Sequence, residues 1–106
     1  YSPLEAGLLT GEVTTDRPAG DPTRVRRGGQ AFTPAQVALA TRLVTLADGW
    51  GISPATASLS WLIGRAGVTS VILGPETIAD LEVGLFGVAH VLDTAQRHSL
   101  DALVLD

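Results

Sequence analysis

The sequence lacks cysteine, lysine and asparagine altogether. Without cysteine, the chain has no disulfide framework and no thiolate metal site. Without lysine, it offers neither a Schiff-base nucleophile nor the phosphate-binding lysine of a Walker motif. These absences exclude several kinds of catalytic chemistry within these 106 residues.

Charge is also scarce. Charged residues make up 17% of the chain, and the formal net charge is -4. A phosphate backbone requires a basic surface, so nucleic-acid binding is excluded as a main role. There is no signal-peptide pattern and no run that approaches 18 apolar residues, so we expect a cytoplasmic protein that does not enter a membrane.

Hydrophobic residues, in contrast, make up 45% of the chain. This composition is typical of a folded domain, and with so little charge it indicates that some apolar surface is meant for a neighbour. Residues 1–13 are predicted to be a strand end that runs into a glycine-containing loop. Residues 14–32 are rich in glycine and proline, and we expect a long, mobile loop that serves as a lid or a linker.

Residues 33–106 contain four helix-start signals. Each signal is a residue whose side chain can accept a hydrogen bond from a backbone N–H group in the first turn of the helix that follows. The predicted N-caps are Thr33, Ser53, Thr77 and Asp93. The first helix should stop at Gly49 or Gly51, the second at Gly64 to Gly67, and the third near Leu85; the last should carry Leu100 and Leu103.

One short segment, Val68 to Leu73, is apolar and β-branched, which predicts a buried strand of a parallel sheet. Strands that alternate with helices indicate an α/β fold. Two parallel strands do not make an independent sheet, because both edges would stay unpaired. We therefore expect a portion of a larger fold, completed by more chain or by a partner.

Two motifs carry a resemblance to a known family. The segment YSPLEAGLLTGEV resembles the seventh-strand motif of the aldo-keto reductases, and ISPATASLSWLIGRAGVTSVILGPETIADLEVGL resembles their following helix, strand and helix. The final LDTAQRHSLDAL is similar to their terminal helix. The resemblance implies the C-terminal portion of a TIM (β/α)8 barrel: its last two strands, their helices and the C-terminal helix, incomplete as a stand-alone fold.

In that family this portion holds a nicotinamide cofactor, NADP or NAD. The resemblance implies that Tyr1 stacks on the nicotinamide and that one arginine of a loop, Arg24 or its neighbours Arg26 and Arg27, folds over the cofactor. The loop along the pyrophosphate matches Ser2, Pro3, Leu4 and Gly7. The adenosine end matches Gly74, Glu76, Thr77, Asp80 and Gly84.

Three positions depart from the family pattern. Glu76 stands where the family usually has an arginine or lysine for the 2′-phosphate of NADP, and a carboxylate there suits a ribose hydroxyl better. Asp80 and Gly84 replace the glutamine and asparagine that usually hold the adenine. The choice between NAD and NADP therefore stays open, as does loss of this adenosine clamp.

The catalytic residues of the family are an Asp, Tyr, Lys and His from the first half of the barrel, and none matches a position here. We therefore expect this chain alone to be inactive, while the intact parent would reduce a carbonyl of a sugar, ketone or aldehyde. An alternative is a non-catalytic remnant that self-associates or binds a protein partner. The retained YSPLEAGLLTG loop favours the first hypothesis.

Several residues also have an ordinary structural interpretation. Tyr1 could fray, the arginine cluster could be a solvated loop, and Glu76 could be an acidic residue of a first helical turn. His90 and His98 lack a second ligand at metal spacing, so we expect surface or packing roles. Trp61 is predicted to lie in the core and Trp50 to pack under a turn.

Overall fold

The fold is helical. A computed structural model describes residues 1–20 and 31–105. Within them lie a short 3₁₀ helix, Leu8–Thr10, and four α-helices: α1 (Pro34–Trp50), α2 (Pro54–Ile63), α3 (Ile78–Ala89) and α4 (Thr94–Leu105). None of these helices is both long enough and apolar enough to cross a membrane.

Local capping explains where the helices begin, and all four predicted N-caps are confirmed. Before α1, the Thr33 hydroxyl accepts from the Gln36 N–H at 3.2 Å, and the Thr33 N–H donates back to Gln36 Oε1 at 2.8 Å. Asp93 and Gln96 form the same reciprocal pair before α4. Such caps satisfy backbone N–H groups that have no partner inside the helix.

The predicted helix ends are less accurate than the predicted helix starts. α1 ends at Gly51, whose φ of 70° is the left-handed conformation that glycine adopts without strain. α3 was predicted to end near Leu85, but it continues to Ala89. Gly84 and Gly87 do not stop it, because both are buried on the side of α3 that meets its neighbours.

The predicted strands are wrong for the described residues. Residues 68–75 form no regular secondary structure, and residues 1–13 form turns and the 3₁₀ helix instead of a strand end. A strand needs a neighbour to satisfy its ladder of hydrogen bonds. Among the described residues, the one β-type pairing is an isolated bridge between Thr14 and Arg17. Of the expected barrel portion, residues 1–20 and 31–105 therefore contain the helices without the sheet.

The start of the predicted loop over residues 14–32 packs against α1. The N–H of Thr15 donates to the Thr41 hydroxyl at 3.1 Å, and a turn joins Thr14 to Arg17. Residues 21–30 lie outside the described residues. Of the predicted lid or linker, the structure thus describes residues 14–20 and 31–32.

The core lies where α1, α2 and α4 meet. Its larger cluster consists of Leu43, Ala47, Ala57, Leu92, Leu100 and Leu103. A second cluster joins the 3₁₀ helix to α1 through Leu8, Val13, Val37 and Ala40. Burial of these side chains is the main force that holds the helices together.

The two tryptophans border the larger cluster. Both are half-buried and pack against it. The Trp61 indole N–H donates to Asp101 at 2.8 Å, and the Arg65 guanidinium lies 4.5 Å from the Trp61 ring centre. Trp61 therefore joins α2 to α4 at the rim of the core instead of lying fully inside it, because its N–H needs a partner.

Candidate functional site

A cleft of about 510 Å³ opens between the N-terminal turns and the start of α3. It brings together residues that are about 70 positions apart in the sequence. The residues that line it are Tyr1, Ser2, Pro3, Leu4, Ala6, Gly7, Thr10, Glu12, Ser53, Ala55, Ile72, Leu73, Gly74, Pro75, Glu76, Asp80, Val83 and Gly84. Clefts of this size are the usual form of a small-molecule site.

Consecutive turns form the first wall. The Leu4 carbonyl accepts from both the Gly7 and Leu9 N–H groups, each at 3.2 Å. The Thr10 hydroxyl donates a hydrogen bond to the Gly7 carbonyl at 2.7 Å, which closes the turn. Buried Leu8 fixes this wall to α1, so a local hydrogen-bond network and one apolar contact set its shape.

This wall contains strained backbone. Ser2, Glu5 and Ala6 have φ values of 52°, 48° and 54°, which residues other than glycine rarely adopt. Such residues cost on the order of 1–3 kcal/mol each, and they concentrate at functional sites. Ser2 and Ala6 also line the cleft, so part of this strain lies in the cleft wall itself.

The start of α3 forms the opposite wall. The Thr77 hydroxyl accepts from the Asp80 N–H at 3.0 Å, which caps the helix. The Asp80 carboxylate accepts from the Glu76 N–H at 3.2 Å. Together these bonds fix the turn that precedes α3, with Glu76 and Asp80 on the cleft and Thr77 in a capping role.

The N-terminal end of α2 lies between the two walls. Ser53 caps this helix, and Ser53 and Ala55 line the cleft. The 3₁₀ turn approaches so closely that a Cβ at Gly11 would lie 3.1 Å from Pro54 Cγ, and the φ of Gly11 is +94°. A glycine is therefore needed at this contact on both grounds.

Gly84 has a similar role on α3. A Cβ at this position would lie 2.7 Å from Leu73 Cδ1. The absence of a side chain lets the segment that precedes α3 pack directly on the helix. Gly84 therefore shapes the cleft through Leu73, and it has no side chain with which to bind a ligand.

The charged side chains in the described lining of the cleft are all acidic. Three carboxylates line it, from Glu12, Glu76 and Asp80, and no arginine or histidine among the described residues does so. Arg24, which was predicted to fold over a cofactor, lies outside the described residues, as do Arg26 and Arg27. The described lining therefore offers hydrogen-bond acceptors to a hydroxylated ligand and no cation to a phosphate.

The cleft gathers most of the predicted site residues. Those that line it are Tyr1, Ser2, Pro3, Leu4, Gly7, Gly74, Glu76, Asp80 and Gly84. Sequence reasoning missed Glu12 and Ser53. A serine that caps a helix was recognisable in the sequence, but its position beside the N-terminal turns depends on packing between distant segments.

The histidines lie apart from the cleft lining. His90 stacks on Phe86 with ring centres 5.7 Å apart, and its carbonyl accepts from the Ser60 hydroxyl at 2.6 Å. His98 is exposed on α4. The described residues contain no group of three side chains that could hold a metal ion.

Comparison with known proteins identifies the family. A family model described as Aldo/keto reductase family matches residues 1–105. No curated protein matches the chain. The family match covers the same span as the resemblance seen in the YSPLEAGLLTG motif and the segments that follow it. The chain therefore belongs to the aldo/keto reductase family.

Proposed function

We propose that this chain forms the nicotinamide-cofactor-binding part of an NAD(P)H-dependent aldo/keto reductase. The family is one of oxidoreductases. Within that reaction, the role proposed for this chain is to bind the cofactor. The intact reductase would reduce a carbonyl of a sugar, a ketone or an aldehyde.

One observation carries the proposal. Two motifs resemble the cofactor-binding motifs of the family, and they lie far apart in the sequence. Ser2, Leu4 and Gly7 from one motif and Gly74, Glu76 and Asp80 from the other line opposite walls of the same cleft. Packing between distant segments brings the two motifs together at one cleft, although the described residues form no sheet, and this proximity supports the proposal.

The chemistry of the lining fits part of a nicotinamide dinucleotide. The carboxylates of Glu76 and Asp80 can accept hydrogen bonds from ribose hydroxyls, and Ser2 adds a hydroxyl that donates or accepts. In our proposal the exposed Tyr1 ring stacks on the nicotinamide. When bound, the cofactor would supply the hydride, while these residues bind and orient it.

Proton transfer to the carbonyl must involve other residues. The chain contains no lysine and a single tyrosine, Tyr1, which the proposal uses for stacking. A general acid must lie within hydrogen-bond reach of the atom it protonates. We therefore propose that the partner of this chain is the remainder of a barrel, on the same or another polypeptide, which supplies the catalytic residues.

A second candidate function is self-association or binding of another protein. The outer side of α3 is apolar and open to water: Ile78 is 77% exposed and Phe86 is 59% exposed. Exposed apolar surface of this kind is typical of interaction sites. Sedimentation velocity over a range of concentrations tests this alternative: a constant monomer mass would contradict self-association.

The main test is a titration of the full chain with NAD(H) and NADP(H) by isothermal calorimetry. Gly74→Leu should weaken binding by at least about tenfold, because Gly74 lines the cleft and a side chain there would project into open space. Gly49→Leu is the matched control, since a Cβ at Gly49 also meets no atom within 4 Å but lies on α1. Absence of binding, or equal affinity for the two variants, would contradict the proposal.

A further inference from the structure

Another cavity, of about 120 Å³, lies in the core where α1, α2 and α4 meet. Leu43, Leu100 and Leu103, which are almost inaccessible to water, line this core cavity, and so does the exposed side chain of Val104. The core therefore closes the cavity on one side, and solvent reaches it beside Val104. Of the described residues, Pro3 alone belongs to the linings of both the core cavity and the cleft.

The lining of the core cavity is almost entirely apolar. Its described residues are six leucines, a proline, a valine, Trp61 and Ser58. The two polar side chains already have partners: the Ser58 hydroxyl donates to the Pro54 carbonyl at 2.8 Å, and the Trp61 indole N–H donates to Asp101 at 2.8 Å. A charged or strongly polar ligand would lose its hydrogen bonds to water on entry and find no free side-chain donor in this described lining.

The volume of the core cavity limits the size of a ligand. Protein interiors are close-packed, and voids much larger than a water molecule are few. In another protein, an engineered apolar cavity of about 150 Å³ stays free of water and binds benzene. A space of about 120 Å³ between leucine side chains and the Trp61 indole therefore suits a single ring with few substituents.

We propose that the core cavity is a binding site for a small, uncharged aromatic compound. Such a ring supplies the contacts that the lining side chains lack on the side of the void. It needs no hydrogen bond from the lining, in which both polar side chains are already bonded. The site does not depend on the proposed cofactor function, because it has its own lining.

The test is a titration of the full chain with toluene, followed through the indole N–H signals of the two tryptophans in ¹H–¹⁵N NMR spectra. Trp61 lines the core cavity, whereas Trp50 packs against the same hydrophobic cluster without lining it. The Trp61 signal should shift and saturate with a Kd of about 0.1–1 mM, while the Trp50 signal should change little. Trp50→Phe assigns the two signals. Benzylammonium, which has the same ring and a charge, should bind at least about tenfold more weakly.

Two substitutions of Ser58 form a matched pair. Ser58→Leu places a branched apolar side chain in the core cavity and should weaken toluene binding by at least about tenfold. Ser58→Ala leaves the space open and should keep the affinity within about threefold. If circular dichroism shows that Ser58→Leu does not fold, Leu39→Phe reduces the same space from α1, with the same expected loss.

Gly74→Leu shows whether toluene binds in the cleft instead. Gly74 lines the cleft and not the core cavity, so this variant should bind toluene like the wild-type chain. A saturating shift of Trp61 that is lost in the cavity-filling variant and kept in Ser58→Ala supports the proposal. It is overturned if the Trp61 signal does not saturate, if a folded cavity-filling variant binds as tightly as the wild-type chain, if Gly74→Leu abolishes binding, or if benzylammonium binds as well as toluene.

Discussion

The two sides of this molecule are built differently. On one side, α1, α2 and α4 enclose a core in which Leu43, Leu100 and Leu103 are nearly inaccessible to water. On the other side, α3 presents Ile78, Leu85 and other apolar side chains to solvent, next to a cleft with strained backbone. The first side is packed like the core of a folded domain, and the second exposes apolar side chains to solvent.

The difference shows which interactions each side depends on. The helices of the core are defined by caps and by burial within the chain, so they need no further element. The segment at residues 68–75 has a strand-like sequence, but a strand needs hydrogen bonds to a neighbour. The cleft side therefore has the sequence of a barrel wall while lacking the pairing that a barrel wall requires.

Matched leucine truncations test this contrast most directly. Leu100→Ala should lower the free energy of unfolding by about 2–5 kcal/mol, because it removes a buried side chain and leaves a cavity. Leu85→Ala, the same change on exposed α3, should cost less than about 1 kcal/mol. Urea unfolding followed by far-ultraviolet circular dichroism measures both variants.

Equal losses for the two leucines would break the comparison. They would mean that Leu85 is buried in solution, for example by a second copy of the chain. In that case the cost of Leu85→Ala should shrink as the protein is diluted, because association stabilises by mass action.

Glycine substitutions sharpen the contrast at the contact between the two sides. A Cβ at Gly87 would lie 3.0 Å from Leu59 Cδ1 and 3.3 Å from the backbone of Thr56, which cannot move away easily. Gly87→Ala should therefore destabilise the chain by about 1–3 kcal/mol despite the better helix propensity of alanine. The measurement is again the free energy of unfolding.

Gly49→Ala is the control, because a Cβ there meets nothing within 4 Å in an exposed turn of α1. The free energy of unfolding of this variant should rise by up to about 1 kcal/mol, because alanine has the better helix propensity. A gain of the same size at Gly87 would show that α3 does not pack on α2 as closely as the structure has it.

Local signals in the sequence predicted the helical side well. A polar N-cap followed by a proline or an acceptor side chain defines a helix start through contacts within four residues, as at Thr33 and Ser53. The end of α3 was missed, because Gly84 and Gly87 normally weaken a helix but are needed here for contacts with Leu73 and Leu59. Contacts between distant segments decided that helix end.

The cleft was predictable in part, and only through the family resemblance. That resemblance named residues on both walls, such as Ser2 and Asp80. It did not indicate that Asp80 bonds to the Glu76 N–H, because a side-chain bond across one turn depends on the backbone geometry before α3. Nor did it predict that Glu12 joins the lining, since that follows from how the 3₁₀ turn packs on Pro54.

The smallest expected effect concerns the strained wall of the cleft. Ala6 has a φ of 54°, a conformation that costs an alanine about 1–2 kcal/mol and a glycine almost nothing. Part of this stabilisation is lost again, because glycine has a larger conformational entropy in the unfolded chain. Ala6→Gly should therefore stabilise the protein slightly, by up to about 1 kcal/mol in urea unfolding.

The matched control has the opposite sign. Ala38 is exposed within α1, where glycine is unfavourable, so Ala38→Gly should lower the free energy of unfolding by about 0.5–1 kcal/mol. If both variants lose stability, Ala6 does not hold a left-handed conformation in solution, and the cleft wall is less strained than the structure indicates. If the signs differ as expected, Ala6 holds a strained backbone conformation in the cleft wall that glycine would relieve, and the backbone geometry of this wall is correct.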